Sequence, residues 1–234
     1  IRDDLVTGVQ TCALPIFLYF LTFFEDFNHE IRDYGLNYLR KTLERLTWTP
    51  KKGEKNTDSL LRSYCIAALG KMDDEEVIAK AEQMFQQFQK NSSSIPTDLQ
   101  ESIFIVIAWH GDSQTHKKLI SLYRKAKSQE EKIRFLTGMC YFKDEKLLLQ
   151  TLKFSQSIEV RSQNMHIPIM RVAGNPYGKK ILWPWIKPPL IGKNEVSPYL
   201  FMSLFPWAKH QFLPSSLVIW MASPVIFPIS QQTK

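Results

Sequence analysis

The chain has 234 residues, of which 44% are hydrophobic and 23% are charged, so its composition is that of an ordinary folded domain. Its three cysteines, Cys12, Cys65 and Cys140, are too few and too far apart for a disulfide framework or a cysteine zinc site. We therefore expect a reducing, cytoplasmic location. The net charge is +7, but basic and acidic residues alternate along the chain, which favours a solvated basic surface over nucleic-acid binding.

Residues 1–16 match the in-frame translation of a common sequencing-library adapter. Residues 6–16 read VTGVQTCALPI, and residues 1–3 fit the primer on the other side of a sample index at residues 4–5. We therefore expect that residues 1–16 have no biological role, that natural sequence starts near Phe17, and that the protein continues upstream. The apolar run at residues 16–24 is shorter than the roughly 20 residues that cross a bilayer, so we expect no membrane partner.

The first predicted helix covers residues 28–46. Its apolar residues repeat at helical spacing and are expected on one face: Ile31, Tyr34, Tyr38, Leu39 and Leu43. A polar loop at residues 47–56 follows, with Pro50 and Gly53 as helix breakers. The next helix is expected at residues 58–69, ending at Gly70, since glycine is the usual residue just past a helix end.

A third helix is predicted at residues 75–90, with acidic residues in its first turn. After a loop at residues 91–94, Thr97 and Gln100 have the spacing of a capping box, which favours a buried helix over a strand for the apolar run 103–109. Ser128 and Glu131 form a second capping box, which is expected to open a helix extending to Phe142.

Tight turns recur at residues 69–74, 109–112, 142–144 and 173–176, about 30–40 residues apart. Each separates an apolar helix from an amphipathic one. Because one helix pair cannot bury its own apolar face, neighbouring pairs must stack. The predicted fold class is all-α: an α-solenoid of stacked HEAT-like helical hairpins over residues 17–187.

The composition changes at residue 188. Residues 188–234 contain seven of the thirteen prolines, a density that helix interiors do not tolerate. One interpretation is a genuine proline-rich extension. The other, which we favour, is an out-of-frame translation. Both predict an irregular C-terminal tail.

The sequence offers little catalytic chemistry. His29, Glu30 and Asp33 come close to a zinc-binding H-E-x-x-H motif, but Asp33 stands where the second histidine is needed. His110 and His116 are six residues apart, and we interpret them as a turn residue and a surface residue. His166 is expected to be a core or loop histidine.

The remaining candidates are also interpreted as structural. Cys65 and Cys140 lie on apolar helix faces and are expected to be small buried hydrophobes. Residues 174–178 lack the pattern of a phosphate loop and are expected to form a helix–helix turn. Trp183 and Trp185, near several lysines, fit the packing face of a last helix better than a base-stacking surface.

Three segments carry a family resemblance. Residues 46–63 (LTWTPKKGEKNTDSLLRS), residues 159–178 (EVRSQ … VAGNPYG) and residues 182–187 (LWPWIK) resemble, in order, the C-terminal helical domain of zinc aminopeptidases of the aminopeptidase N and endoplasmic-reticulum aminopeptidase type. Residues 123–134 also fit. The resemblance covers residues 27–187. The sequence departs from the family where Pro188 and Pro189 interrupt the late helices, and Pro168 is expected to kink the helix that follows Arg161.

The resemblance implies that this chain is non-catalytic. In that family the zinc site belongs to an earlier domain, so no catalytic residue, zinc ligand or other cofactor is expected here. The helical domain of the family closes over the active site and shapes the cavity that holds the peptide. The implied partners are therefore the catalytic domain of the parent chain and a peptide substrate. Arg161, Gln163 and Arg171 are the expected peptide contacts, since a guanidinium can pair with a peptide carboxylate.

Two other functions remain open from the sequence. A free-standing HEAT-like scaffold would bind a protein partner along its concave face. Nucleic-acid binding through the lysine-rich faces would be sensitive to salt.

Overall fold

The computed structural model describes residues 29–51 and 53–190, and within them all regular structure is helical. This confirms the all-α prediction. The helices are α1 (His29–Leu46), α2 (Asn56–Lys71), α3 (Glu75–Lys90), α4 (Thr97–Trp109), α5 (Ser113–Lys125), α6 (Gln129–Gly138), α7 (Glu145–Ser155), α8 (His166–Ala173) and α9 (Lys179–Leu190), with short 3-10 helices at Met139–Tyr141 and Ser162–Asn164.

The chain divides into two compact units, Ile1–Trp183 and Pro184–Lys234. Helices α1 to α8 belong to the first unit. Of the second unit only residues 184–190 are described, and they complete α9, which therefore extends three residues past the predicted boundary at residue 187. The predicted adapter segment 1–16 and the tail beyond residue 190 lie outside the described residues.

Within the first unit the helices alternate between two layers. Helices α2, α4, α6 and α8 pack each against the next, and α1 packs against α2. In the other layer, α3 packs against α2 and α4, and α5 packs against α4 and α6. Helix α7 packs against α8. Neighbouring hairpins therefore share one apolar core. The HEAT-like curvature of the stack stays a prediction.

Helix α4 is the centre of the core. Every residue from Ile103 to Trp109 is buried, which is why its sequence lacks an amphipathic pattern. The Phe104 ring stacks on Phe135 of α6 at 4.7 Å between centroids, and it meets Phe88 of α3 edge-on at 5.3 Å. The strand alternative for this run is wrong, and the prediction of a buried helix is confirmed.

One predicted capping box is confirmed. Ser128 and Glu131 form the reciprocal capping box at the start of α6: Glu131 N donates to Ser128 Oγ at 3.1 Å, and Ser128 N donates to Glu131 Oε2 at 3.4 Å. This helix ends at Gly138, and a 3-10 helix follows, so the predicted helix end at Phe142 is late.

The capping box predicted at Thr97 is wrong. The helix-preceding position is taken by Pro96, Thr97 is already helical, and the Gln100 side chain donates to the carbonyl of Ile95 at 3.2 Å instead. Proline in that position has an extended backbone conformation without offering a side-chain acceptor.

Three further local predictions are also corrected. Gly70 does not end α2; it lies inside the helix, where an added Cβ would come within 2.8 Å of Val106 Cγ1 on α4. This glycine therefore allows two helices to approach closely. Pro168 does not kink α8, since it is the third residue of that helix, where its missing N–H breaks no helical hydrogen bond. Tyr34 is 70% exposed, so it does not share the buried face of Leu39 and Leu43.

Contacts between successive turns join the hairpins at one end. His110 Nε2 donates to the carbonyl of Gly70 at 2.8 Å. The Asn175 side chain, 1% exposed, donates from Nδ2 to the carbonyls of Cys140 and Phe142 at 2.9 and 3.0 Å. We call these contacts the turn contacts. Residues 174–178 are thus a helix–helix turn, as predicted.

In the N-terminal half of α2, a buried arginine holds the loop that connects α1 to α2. Arg62 is fully buried and donates to the carbonyls of Leu46 at 3.1 Å and Thr47 at 2.7 Å. It also pairs with the Glu54 carboxylate. Hydrogen bonds from Arg62 and from the Lys51 backbone lower the pKa of Glu54 to about 2.

Candidate functional site

A groove of about 880 Å³ follows the layer formed by α2, α4, α6 and α8. It is the larger of the two cavities described in the first unit. Its volume is in the range of ligand-binding clefts. Its lining has an apolar wall and a cationic end, drawn mainly from Leu60, Tyr64, Ala67, Lys71, Asp98, Glu101, Ile105, Arg134, Tyr141 and Arg171.

The apolar wall comes from α2. Leu60 is 56% exposed and Tyr64 is 47% exposed, and the four-residue spacing places them on one face of the helix. The neighbouring face, which is turned about 100° around the helix and carries Leu61 and Cys65, is buried in the core. Helix α2 is apolar on both of these faces, and only one of them is covered by protein within the described residues. The exposed face is therefore suited to apolar side chains of a ligand.

The cationic end combines side chains from three parts of the layer. Arg171 of α8 pairs with Glu101 of α4, with Nη2 3.4 Å from Oε1. Lys71, at the end of α2, lies 5.7 Å from the centre of the Tyr141 ring, within the range of a cation–π contact. Burial lowers the pKa of Lys71 and raises the pKa of Tyr141.

Arg134 completes this end of the groove. Its side chain is 18% exposed, its Nη1 donates to Gln100 Oε1 at 3.3 Å, and its Nη2 is 4.0 Å from Glu130. Farther along the groove, Ser59 Oγ donates to Asp98 Oδ2 at 2.8 Å and joins α2 to α4. The groove thus presents three cations and two carboxylates beside its apolar wall.

Potential metal ligands and thiols are the next chemical groups to consider among the described residues. The described residues contain no group of three or more histidines, cysteines, aspartates or glutamates that could hold a metal ion. Cys65 and Cys140 are both buried thiols, and burial raises the pKa of Cys65 to about 12 and that of Cys140 further still. They stay protonated, in agreement with the prediction that they act as small hydrophobes.

The structure brings one of the three predicted contact residues to the groove. Arg171 lines it, whereas Arg161 and Gln163 are exposed around the short 3-10 helix Ser162–Asn164 and are not among the lining residues. Their role as peptide contacts stays a prediction. No local pattern indicates Lys71, Arg134 or Tyr141, because Lys71 meets the other two only when separate hairpins stack.

The histidines take different places. His110 is a turn residue, as predicted. The prediction that His116 lies on the surface is wrong: it is 1% exposed, and its Nε2 is 2.9 Å from the Thr151 hydroxyl. Burial lowers the pKa of His116 to about 4, so the ring is neutral. His166 begins α8, where its Nδ1 donates to the Gln163 carbonyl at 2.8 Å.

Two other predictions fall partly outside the structure. His29 and Glu30 begin α1, but the description of side chains starts at Asp33, which is exposed. Likewise, the Trp183 side chain lies outside the described set. Among the helices of residues 29–51 and 53–190, none combines the length and apolarity needed to cross a membrane.

Comparison with known proteins shows one family. The family described as ERAP1-like C-terminal domain matches residues 7–188. Similar proteins include Aminopeptidase M1-D of Oryza sativa subsp. japonica, 26% identical over 163 residues, and Aminopeptidase M1 of Arabidopsis thaliana, 25% identical over 162 residues. Glutamyl aminopeptidase of Mus musculus is 26% identical over 174 residues. The matches cover 68%, 67% and 72% of this chain, in the same order, but only 18% of each relative.

Proposed function

Because the chain belongs to the ERAP1-like C-terminal domain family of M1 aminopeptidases, we propose that it closes over the active site of a zinc aminopeptidase and shapes its peptide cavity. The partners are then the catalytic domain of the parent chain and a peptide. The proposal assigns the zinc ion to that catalytic domain, and it agrees with the finding that the described residues contain no group of three or more potential metal ligands. We place the enzyme in the cytoplasm.

The groove is the observation that carries this proposal. Peptide backbones and side chains need both polar partners and apolar contact, and the α2 wall with Leu60 and Tyr64 supplies the apolar part. The cationic end supplies donors for a carboxylate. The Arg171 guanidinium contacts Glu101 through one of its nitrogens. Because a guanidinium has five N–H donors, the others can donate to the carboxylate of a peptide C-terminus.

The direct test is peptide binding by the 234-residue chain, measured by fluorescence polarisation. A labelled nonapeptide with an apolar C-terminal residue and a free carboxylate should bind about tenfold more tightly than its C-terminal amide. Arg171→Ala should abolish that difference, and Leu60→Ser should weaken both peptides equally. Arg161→Ala and Gln163→Ala test the other two predicted contacts in the same assay.

Arg124→Ala is the matched control, since Arg124 is an exposed arginine in an ion pair away from the groove. Equal binding of acid and amide, or equal losses from Arg124→Ala and Arg171→Ala, would contradict the proposal. So would chelator-sensitive hydrolysis of aminoacyl substrates by the purified chain, because the proposal assigns no catalytic group to it.

A further inference from the structure

A concentration of positive charge lies on helix α5 and the residues just after it. Residues 113–129 contain no acidic residue but five basic ones, all exposed: Lys117, Lys118, Arg124, Lys125 and Lys127. At 100° per residue, the four on α5 fall within about 120° of its circumference. We call these four side chains the basic stripe. The opposite face of α5 is buried through His116, Leu119 and Tyr123.

Most of the stripe is not neutralised by the protein itself. Arg124 is paired, with Nε and Nη2 at 2.6 and 2.8 Å from the Glu159 carboxylate. No ion pair joins Lys117, Lys118 or Lys125 to a carboxylate among the residues that the structure describes. Three adjacent ammonium groups thus face solvent on a rigid helix, a fixed positive field that attracts anionic groups.

A cavity of about 360 Å³ adjoins the stripe, between α3 and the start of α5. Ile78, Phe85 and Ile107 form its apolar wall, and Lys118 stands at its rim. Lys118 is therefore common to the cavity and to the stripe. Two carboxylates also line the cavity. That of Asp112 already accepts from Thr115 N and Oγ1 at 2.9 and 3.0 Å, and that of Glu82 is exposed on α3.

We propose that the cavity and the basic stripe together form a docking site for an acidic protein segment that carries one large apolar side chain. The apolar side chain fills the cavity, and carboxylates of the segment meet Lys118 and Lys125. These lysines are seven residues apart, about 10.5 Å along the helix, a distance that an extended segment spans in about three residues.

The cavity is what favours a protein segment over other polyanions. A nucleic-acid backbone or a lipid headgroup surface has no side chain to place against Ile78 and Phe85. The stripe also lacks an exposed aromatic ring for base stacking, because Tyr123 is 2% exposed. Helix α4 contributes to both features through different residues, and no residue lines both the cavity and the groove, so the site is distinct from the proposed peptide cavity.

The test uses the 234-residue chain and a labelled peptide, acetyl-Asp-Leu-Glu-Asp-Glu-amide, in fluorescence polarisation at low salt. The double variant Lys118→Glu/Lys125→Glu should weaken binding by about tenfold or more, because each attraction becomes a repulsion. Replacing the peptide leucine by serine, or narrowing the cavity with Gln86→Trp, should weaken it about fivefold. The control is Lys146→Glu/Lys153→Glu, which makes the same charge change at the same spacing on α7.

Four outcomes would overturn the proposal. The first is no measurable binding. The second is an equal loss in the α7 control, which would reduce the effect to overall charge. The third is unchanged affinity after the leucine is replaced, which would leave the cavity without a role. The fourth is tighter lysine-dependent binding of duplex DNA or of phosphatidylserine vesicles, which would exclude a protein segment as the preferred partner.

Discussion

Asn175 is expected to contribute more to stability than any surface polar residue of its turn. It is 1% exposed, donates two hydrogen bonds to the carbonyls of Cys140 and Phe142, and accepts a third at Oδ1 from Tyr177 N at 3.0 Å. Asn175→Ala removes all three and leaves two carbonyls without this donor. At roughly 1 kcal/mol for each net hydrogen bond, the expected loss in unfolding free energy is about 3 kcal/mol.

Asn175→Asp sharpens this prediction because its effect depends on pH. The variant keeps the acceptor for Tyr177 N but points a carboxylate at two carbonyl oxygens, which raises the pKa of the new carboxyl in the folded state. Between its unfolded and folded pKa values the unfolded chain releases the proton first, so stability falls as pH rises. The variant should therefore be more stable relative to wild type at pH 4.5 than at pH 7.

The assay is urea unfolding followed by circular dichroism at both pH values. Asn164→Ala is the matched control: Asn164 is 6% exposed, but its Nδ2 has no hydrogen-bond partner among the described residues, so the expected loss is below about 1 kcal/mol. Equal losses in the two alanine variants, or an Asn175→Asp effect that does not change with pH, would refute the reasoning.

Three other substitutions probe single features. Gly70→Ala should lower the unfolding free energy by about 1–3 kcal/mol, despite the better helix propensity of alanine, because the added methyl group meets Val106. Val106→Ala makes room for that methyl group, so it should cost less stability in the Gly70→Ala background than in wild type. Thermal melts of wild type, the two single variants and the double variant test both statements. His116 keeps a pKa of about 4 in the fold, so protonation of the unfolded chain should remove up to about 3 kcal/mol as pH falls from 6.5 to 4. Replacing it with glutamine should remove that pH dependence in denaturant titrations. Arg62→Met should return the pKa of Glu54 from about 2 towards its ordinary value, which an NMR titration of the Glu54 carboxyl would show. In wild type, the stabilisation from the Arg62–Glu54 pair is present at neutral pH and is lost as pH falls towards 2.

Local signals in the sequence predicted helices well where capping and amphipathic spacing agreed. Residues 75–90 are helical to the residue, and the Ser128 box forms as expected. The predictions are wrong where contacts with distant parts of the chain determine the position of a residue. A glycine at position 70 is typical of a helix end, but in the structure it lies within α2 and leaves room for Val106 of α4. His116 lies beside two lysines, yet the hydroxyl of Thr151, 35 residues away, gives it a buried partner.

The candidate site was less accessible to sequence reasoning. Arg171 was predicted through the family resemblance, and it does line the groove. Lys71 and Tyr141 lie at helix ends in separate hairpins, and no spacing along the chain indicates that an ammonium group would lie over that ring. A groove assembled from successive hairpins has no contiguous motif.

The turn contacts also decide where this domain can change in length. They fix the ends of the hairpins near residues 70, 110, 142 and 175, where side chains bind the carbonyls of a neighbouring turn. The connections at residues 91–96 and 126–128 lie at the other ends of their helices. Insertions there would lengthen a loop and leave the spacing between repeats unchanged, whereas a single added residue beside Asn175 would pull its amide away from both carbonyls. Variation in length among related chains, and fusion sites for engineering, should therefore concentrate at the ends that the turn contacts do not join.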